Sequence, residues 1–104
     1  MSTYGISMIQ LDATIGEVAE AKIHRFSKND DGSIGLDVGR ALAYHEIASL
    51  IMRGDTVFVI VPDGPGSYRN TDKIRVKPRQ HEYLESVGDD GAASAALMAL
   101  PTYE

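Results

Sequence analysis

The residues with the clearest capacity for chemistry are basic and lie close together in the second half of the chain. Lysine or arginine occurs at every second position from 73 to 79, with apolar residues or proline between them. On a β-strand, residues two apart share a face and lie about 6.6 Å apart, near the spacing of successive phosphates along a nucleic-acid strand. Two preceding residues would extend this surface, one of them offering an aromatic ring for stacking. We call the full set the basic stripe, and its members are Tyr68, Arg69, Lys73, Arg75, Lys77 and Arg79.

The basic stripe has two alternative roles, which the sequence alone leaves open. Lysines protect exposed edge strands against edge-to-edge aggregation, and Glu20 on another strand would then pair with the stripe. Alternatively, the stripe binds an acidic partner. Residues 69–79 contain five basic residues and one acidic residue, in a chain whose net charge is −5. This segment is therefore a positive patch on a negative protein.

Other side chains that could carry out chemistry lack the spacing that a reaction or a metal requires. The histidines His24, His45 and His81 fall on three different expected elements and form no zinc-binding pair. The sequence contains no Walker-type phosphate loop and no nucleophile elbow. We therefore expect no catalytic residue, no metal and no cofactor. An enzyme whose site combines His24, His81 and Glu82 is the alternative.

Composition indicates one domain in a reducing compartment. A chain of 104 residues is long enough for one hydrophobic core, so we expect a single domain over residues 1–104. The absence of cysteine excludes disulfides and thiolate sites and favours the cytoplasm. No segment approaches the roughly 20 apolar residues that span a bilayer, so we expect no membrane association. A nonspecific DNA binder would be basic overall, and this chain is acidic.

Hydrophobic periodicity predicts the elements in the first half of the chain. Residues 4–11 and 18–26 alternate between apolar and polar side chains and predict a strand hairpin, with a bulge in the first strand. Apolar residues at helical spacing, Leu50 and Ile51 among them, predict a helix that ends before Gly54. We expect Leu50 and Ile51 to be core residues.

The second half predicts the strand that carries the basic stripe. Residues 56–61 are apolar throughout and indicate a central strand, followed by a polar connection that includes residues 67–71. Residues 73–79 alternate and predict a strand, which Pro78 favours placing at a sheet edge. Residues 80–87 are compatible with a short extended stretch, and the alanine-rich residues 92–100 predict a short helix.

Together these elements predict an α+β fold: an antiparallel sheet of about four strands with helices packed on one face. The expected order is strand, strand, helix, strand, strand, short helix. The start of the first helix is open, because Asp37 could cap it or residues 40–42 could form an extended lead-in. The spacing of Leu97 and Leu100 indicates that the C-terminal segment docks on the sheet.

Four short motifs, in this order, are similar to those of a known protein family. They are Ile51-Met52-Arg53-Gly54, Tyr83-Leu84, Asp89-Asp90-Gly91 and Leu100-Pro101-Thr102-Tyr103. On these residues the chain resembles domain-of-unknown-function family 3892, a family of small bacterial and phage proteins, over most of its length. The resemblance implies the same order of elements and a bacterial or phage origin. It implies no activity, because none is assigned to the family.

A basic stripe on an acidic chain without a catalytic motif favours a non-enzymatic interaction module that binds a macromolecular partner, with a protein as the favoured partner. One alternative is a phage-encoded inhibitor of a host defence system, of the anti-CRISPR type, in which Asp30, Asp31, Asp89 and Asp90 mimic phosphates. Another is a single-stranded nucleic-acid binder that uses the basic stripe. A homodimer formed through an edge strand is also compatible with the sequence.

Overall fold

The computed structural model describes residues 2–12, 14, 16–28, 34–36, 38–62, 68–77, 80–88 and 90–103, with only the backbone at positions 28, 34 and 80–82. These residues form eight strands and one helix. In chain order the elements are β1 (Thr3–Asp12), β2 (Glu17–Lys28), β3 (Ile34–Leu36), β4 (Arg40–Ala43), α1 (Tyr44–Met52), β5 (Thr56–Pro62), β6 (Tyr68–Lys77), β7 (Gln80–Val87) and β8 (Ala93–Ser94).

All eight strands belong to one mixed sheet. Its order is β3-β2-β1-β5-β6-β7-β8, and β4 pairs with β2 beside β3. Strands β1 and β5 are parallel, while the other paired strands are antiparallel. Beyond its pairing with β5, β1 continues alongside the C-terminal segment, where Ile9 and Thr102 form a parallel bridge. Among the described residues, no helix is long and apolar enough to cross a membrane.

The predicted α+β fold with about four strands is wrong, because the protein is mostly β. Eight strands account for most of the described residues, and the single helix has nine residues. Residues 68–71, expected in a loop, form the first part of β6, and the short strands β3 and β4 lie between the predicted hairpin and the helix. The predicted central strand is confirmed, since β5 lies between β1 and β6.

The alanine-rich C-terminal segment does not form the predicted helix. Ala93 and Ser94 instead pair with β7. The Ser94 hydroxyl donates to the Asp72 carboxylate at 2.5 Å, and the Ser86 hydroxyl donates to the Ser94 carbonyl at 3.0 Å. A nine-residue helix is marginal in isolation, so these tertiary hydrogen bonds outweigh the helix propensity of alanine.

The main core lies between one face of the sheet, helix α1 and the C-terminal segment. On α1 the fully buried residues are Ile47 and Ala48, whereas Leu50 and Ile51 are only partly buried. Leu50 and Ile51 belong to the last turn, where the helix ends and the chain reverses towards β5. The predicted docking of the C-terminal segment is confirmed, because Leu97 and Leu100 are buried in this core.

Strand β4 shows which of the two predicted starts of the helix, a cap at Asp37 or an extended lead-in at residues 40–42, is correct. Residues 40–43 pair with β2 in an antiparallel register that sets Arg40 opposite Ile23. The chain then enters α1 directly, and Ala43 at the N-cap makes no side-chain capping hydrogen bond. The extended lead-in is therefore correct. Asp37, the alternative cap, lies outside the described residues and seven positions before the helix.

Candidate partner-binding site

Strand β6 carries most of the basic stripe and lies inside the sheet, between β5 and β7. The predicted edge position is therefore wrong. The argument rested on Pro78, which follows the last residue of β6 and lies outside the described residues, as does Arg79. A proline after the end of a strand removes no hydrogen bond from the ladder, so it does not indicate an edge.

Two cations of the basic stripe form ion pairs with carboxylates on other strands. Arg75 stands opposite Glu85 on β7, and its Nε lies 2.5 Å from the Glu85 carboxylate. The Lys77 ammonium lies 2.5 Å from the Glu17 carboxylate at the start of β2. The two carboxylates are largely buried and neutralise these cations, so Arg75 and Lys77 link strands and offer less net positive charge to a partner than the exposed cations of the stripe do.

Glu20, which the sequence suggested as a partner for the stripe, has a different role. Its carboxylate accepts a 2.8 Å hydrogen bond from the Tyr103 hydroxyl and so fixes the C-terminal segment against β2. Burial, together with this hydrogen bond, raises the pKa of Tyr103 to about 12.

At the other end of the chain, the Ser2 N–H and the Arg53 guanidinium lower the pKa of Asp55.

The remaining described members of the stripe, Tyr68, Arg69 and Lys73, are exposed. Arg69 and Lys73 form no ion pair or side-chain hydrogen bond with any described residue. Strand pairing sets Lys73 opposite Phe58, and Tyr68 opposite Pro62. Because residues 58, 60 and 62 share a face, Tyr68 and Lys73 both lie on the sheet face away from the main core, which we call the outer face.

Arg69 points to the other side of the sheet. It stands opposite Val61, and a register irregularity lies between the pairs formed by Phe58 and Ile60. An extra residue in one strand reverses the alternation of side chains, which the sequence pattern alone does not reveal. The accessible cations therefore lie on opposite faces of β6 rather than in one row, and Tyr68 accompanies Lys73.

The first half of β6 has an unpaired edge. Strand β5 pairs with residues 68–73 on one side, but β7 pairs only with residues 73–77 on the other. No described strand covers residues 68–71 on that second side. All four of these residues are exposed. A strand that exposes one row of N–H and C=O groups can pair with a strand from another chain.

The outer face carries a small buried cluster that supports Tyr68. Ile60 is 1% exposed and lies over Gly5, where an added Cβ would come within 2.7 Å of its side chain. Beside it, His24 is buried, shares a 2.8 Å hydrogen bond with the Ser7 hydroxyl, and has its ring centre 6.2 Å from that of Tyr68. The exposed ring of Tyr68 is therefore supported by buried side chains on the outer face.

The alternation along residues 18–26 places His24 on the polar face of its strand, so the sequence pattern does not predict its burial. The sequence contains only a weak signal for this burial. Gly5, which pairs with His24, and Phe26, two positions further along β2, are the residues that indicate an apolar outer face. The alternative enzyme site stays a prediction, since the side chains of His81 and Glu82 lie outside the described ones. Within the part of the chain that is described, no three metal-binding side chains form a cluster.

Of the four aspartates proposed as phosphate mimics, only Asp90 belongs to the described residues, while Asp30, Asp31 and Asp89 do not. Asp90 accepts a hydrogen bond from the Ala92 N–H within its own turn, at 3.0 Å.

Comparison of the chain with protein-family models, with curated proteins and with solved structures finds no match. The resemblance to family 3892 therefore stays a prediction.

Proposed function

We propose that the protein is a small non-enzymatic interaction module that binds a protein partner through the first half of β6. The observation that carries the proposal is the run of four exposed residues, 68–71, on a strand whose second edge no described strand covers. The partner contributes an extended acidic segment that pairs with this edge. Its main-chain groups supply affinity by adding a strand to the sheet.

The side chains around the edge favour an acidic segment. Successive side chains of an added strand point to opposite faces, and the accessible cations Arg69 and Lys73 also lie on opposite faces. A segment with carboxylates on both faces would meet one cation on each. Tyr68, 45% exposed, offers the kind of aromatic side chain that is enriched among energetically important interface residues.

Charge distribution favours a protein over a nucleic acid. Binding driven by phosphates requires several available cations, because each neutralised phosphate adds to the affinity through released counterions. Here Arg75 and Lys77 are already paired with glutamates, and the chain carries a net charge of −5. The absence of cysteine supports a cytoplasmic location for this activity.

A labelled peptide that repeats Glu-Glu-Thr-Thr, and so places carboxylates on both faces of an added strand, tests the proposal by fluorescence anisotropy in phosphate-free buffer. We expect saturable binding that Arg69→Glu and Lys73→Glu each weaken about tenfold, equivalent to about 1.4 kcal/mol. The matched control is Arg40→Glu, which makes the same charge change at an exposed arginine of β4 and should leave binding unchanged.

Three outcomes would overturn the proposal. The first is equal weakening by Arg40→Glu, which would show a general charge effect. The second is tighter binding of a mixed single-stranded oligonucleotide, with affinity that falls steeply with salt, which would establish the nucleic-acid alternative. The third is a dimer in sedimentation velocity that Arg69→Glu dissociates, which would make a second copy of the chain the occupant of the edge.

A further inference from the structure

We infer that the partner segment at the unpaired edge of β6 runs antiparallel to β6 and carries two acidic residues followed at once by an aromatic residue. This inference rests on the proposed function and names the side chains that the edge selects. Three exposed neighbours on β6 carry it, because each of them meets one residue of an added strand: Tyr68, Arg69 and Asn70. Their order along β6 fixes the order of the partner's side chains.

The direction of the added strand follows from the strands beside β6. Both β5 and β7 are antiparallel to β6, and β7 ends opposite Lys73. The unpaired edge continues from that point on the same side of β6, so an added strand occupies the place that a longer β7 would have. Antiparallel pairing is also slightly more stable per residue than parallel pairing. Successive residues of the added strand therefore face Asn70, Arg69 and Tyr68, in that order.

The residue that faces Tyr68 meets an aromatic ring on the outer face. Pro62 lies opposite Tyr68 on β5, and the ring centre of His24 is 6.2 Å from that of Tyr68. On its other side no described strand pairs with Tyr68, which is 45% exposed. Directly opposite residues of paired strands have Cβ atoms about 4.5–5.5 Å apart, close enough for two rings to make contact. An aromatic residue at this position therefore covers Tyr68 and gains the additional stabilisation of an aromatic pair.

The residues that face Arg69 and Asn70 meet the two accessible cations. Arg69 lies on the other face of the sheet and forms no ion pair with any described residue, so a carboxylate directly opposite it gains one. Asn70 is uncharged but shares the outer face with Lys73, since their partners on β5, Ile60 and Phe58, are two positions apart. Asn70 and Lys73 are therefore neighbours on that face, about 6.6 Å apart. A glutamate that faces Asn70 is within reach of the Lys73 ammonium.

Fluorescence anisotropy with three labelled peptides, each flanked by two threonines at both ends, tests this order of side chains. Their central residues are Glu-Glu-Phe, Glu-Glu-Thr and, in reversed order, Phe-Glu-Glu. We expect Glu-Glu-Phe to bind roughly fivefold more tightly than either of the others, equivalent to about 1 kcal/mol. Tyr68→Ala should remove the difference between Glu-Glu-Phe and Glu-Glu-Thr, whereas Tyr68→Phe, which keeps the ring, should preserve it.

Three outcomes would overturn the inference. They are tighter binding of Phe-Glu-Glu, equal binding of Glu-Glu-Phe and Glu-Glu-Thr, and a preference for Glu-Glu-Phe that persists in Tyr68→Ala. The first two comparisons use the native protein alone and do not depend on how well a variant folds. The proposed function survives each of these outcomes if Arg69→Glu weakens binding of Glu-Glu-Thr about tenfold. Failure of all three peptides to bind would refute the proposed function and the inference together.

Discussion

Replacing Gly39 by alanine should reveal how closely the segment before β4 is packed on His24. Gly39 has a φ of +81°, and a Cβ there would lie 2.6 Å from Cε1 and 2.7 Å from Nδ1 of the His24 ring. His24 is buried and hydrogen-bonded to Ser7, so the ring has little room to move. Alanine therefore introduces both backbone strain and a steric clash.

The magnitude follows from these two costs. A left-handed conformation costs an alanine about 1–2 kcal/mol, and overpacking a filled site costs about 1–3 kcal/mol more. Gly91→Ala isolates the first cost, because Gly91 has a φ of +80° and nothing within 4 Å of an added Cβ. We expect Gly39→Ala to lower the free energy of unfolding by about 1–3 kcal/mol more than Gly91→Ala does.

Urea denaturation of both glycine variants measures this difference, and His24→Ala completes the comparison. In the His24→Ala background the clash is gone, so Gly39→Ala should cost no more than Gly91→Ala. The resulting coupling energy between positions 24 and 39 isolates their contact. Equal costs for the two glycine variants in the native background would refute the packing of Gly39 on His24.

Two other predictions concern the core and the C-terminal segment. Ile47→Ala should lower the free energy of unfolding by about 2–5 kcal/mol, because Ile47 is fully buried. The control Met52→Ala, at a residue that is 74% exposed, should change it by less than about 0.5 kcal/mol. Similar losses for the two variants in urea denaturation would show that the buried face of α1 is wrongly assigned. Burial raises the pKa of Tyr103 from 10.0 to about 12, so the stability that its neutral hydroxyl contributes is complete below pH 10 and is lost as the pH rises towards 12. Tyr103→Phe should therefore be less stable at neutral pH and lose less stability between those pH values in denaturation series, and an unchanged alkaline profile would contradict the contact with Glu20.

Local patterns predicted the elements whose stabilising contacts are near in sequence. The hairpin of β1 and β2 and the central strand β5 follow from alternation or from continuous apolar residues, and the structure has all three. The end of α1 before Gly54 follows from its sequence as well, and that residue has a φ of 102°. In each case the side-chain pattern and the tertiary environment favour the same conformation.

Elements that depend on distant partners were not predictable from local patterns. Residues 93–94 have helix-forming neighbours, but the hydrogen bonds that hold them as a strand come from Asp72 and Ser86. The basic stripe alternates as a surface strand does, yet its carboxylate partners Glu17 and Glu85 come from β2 and β7. Charge pairing across a sheet depends on strand order, which the hydrophobic periodicity of the sequence does not predict.

Backbone amide hydrogen exchange of β6, with and without the Glu-Glu-Thr-Thr peptide, tests the central claim most directly. If an acidic segment adds to the sheet at the unpaired edge, exchange should slow markedly, when the peptide binds, at those of residues 68–71 whose N–H groups face that edge, because new main-chain hydrogen bonds protect them. Residues 73–77, already paired with β7, should change little. Peptide binding that leaves exchange at residues 68–71 unchanged would contradict the account.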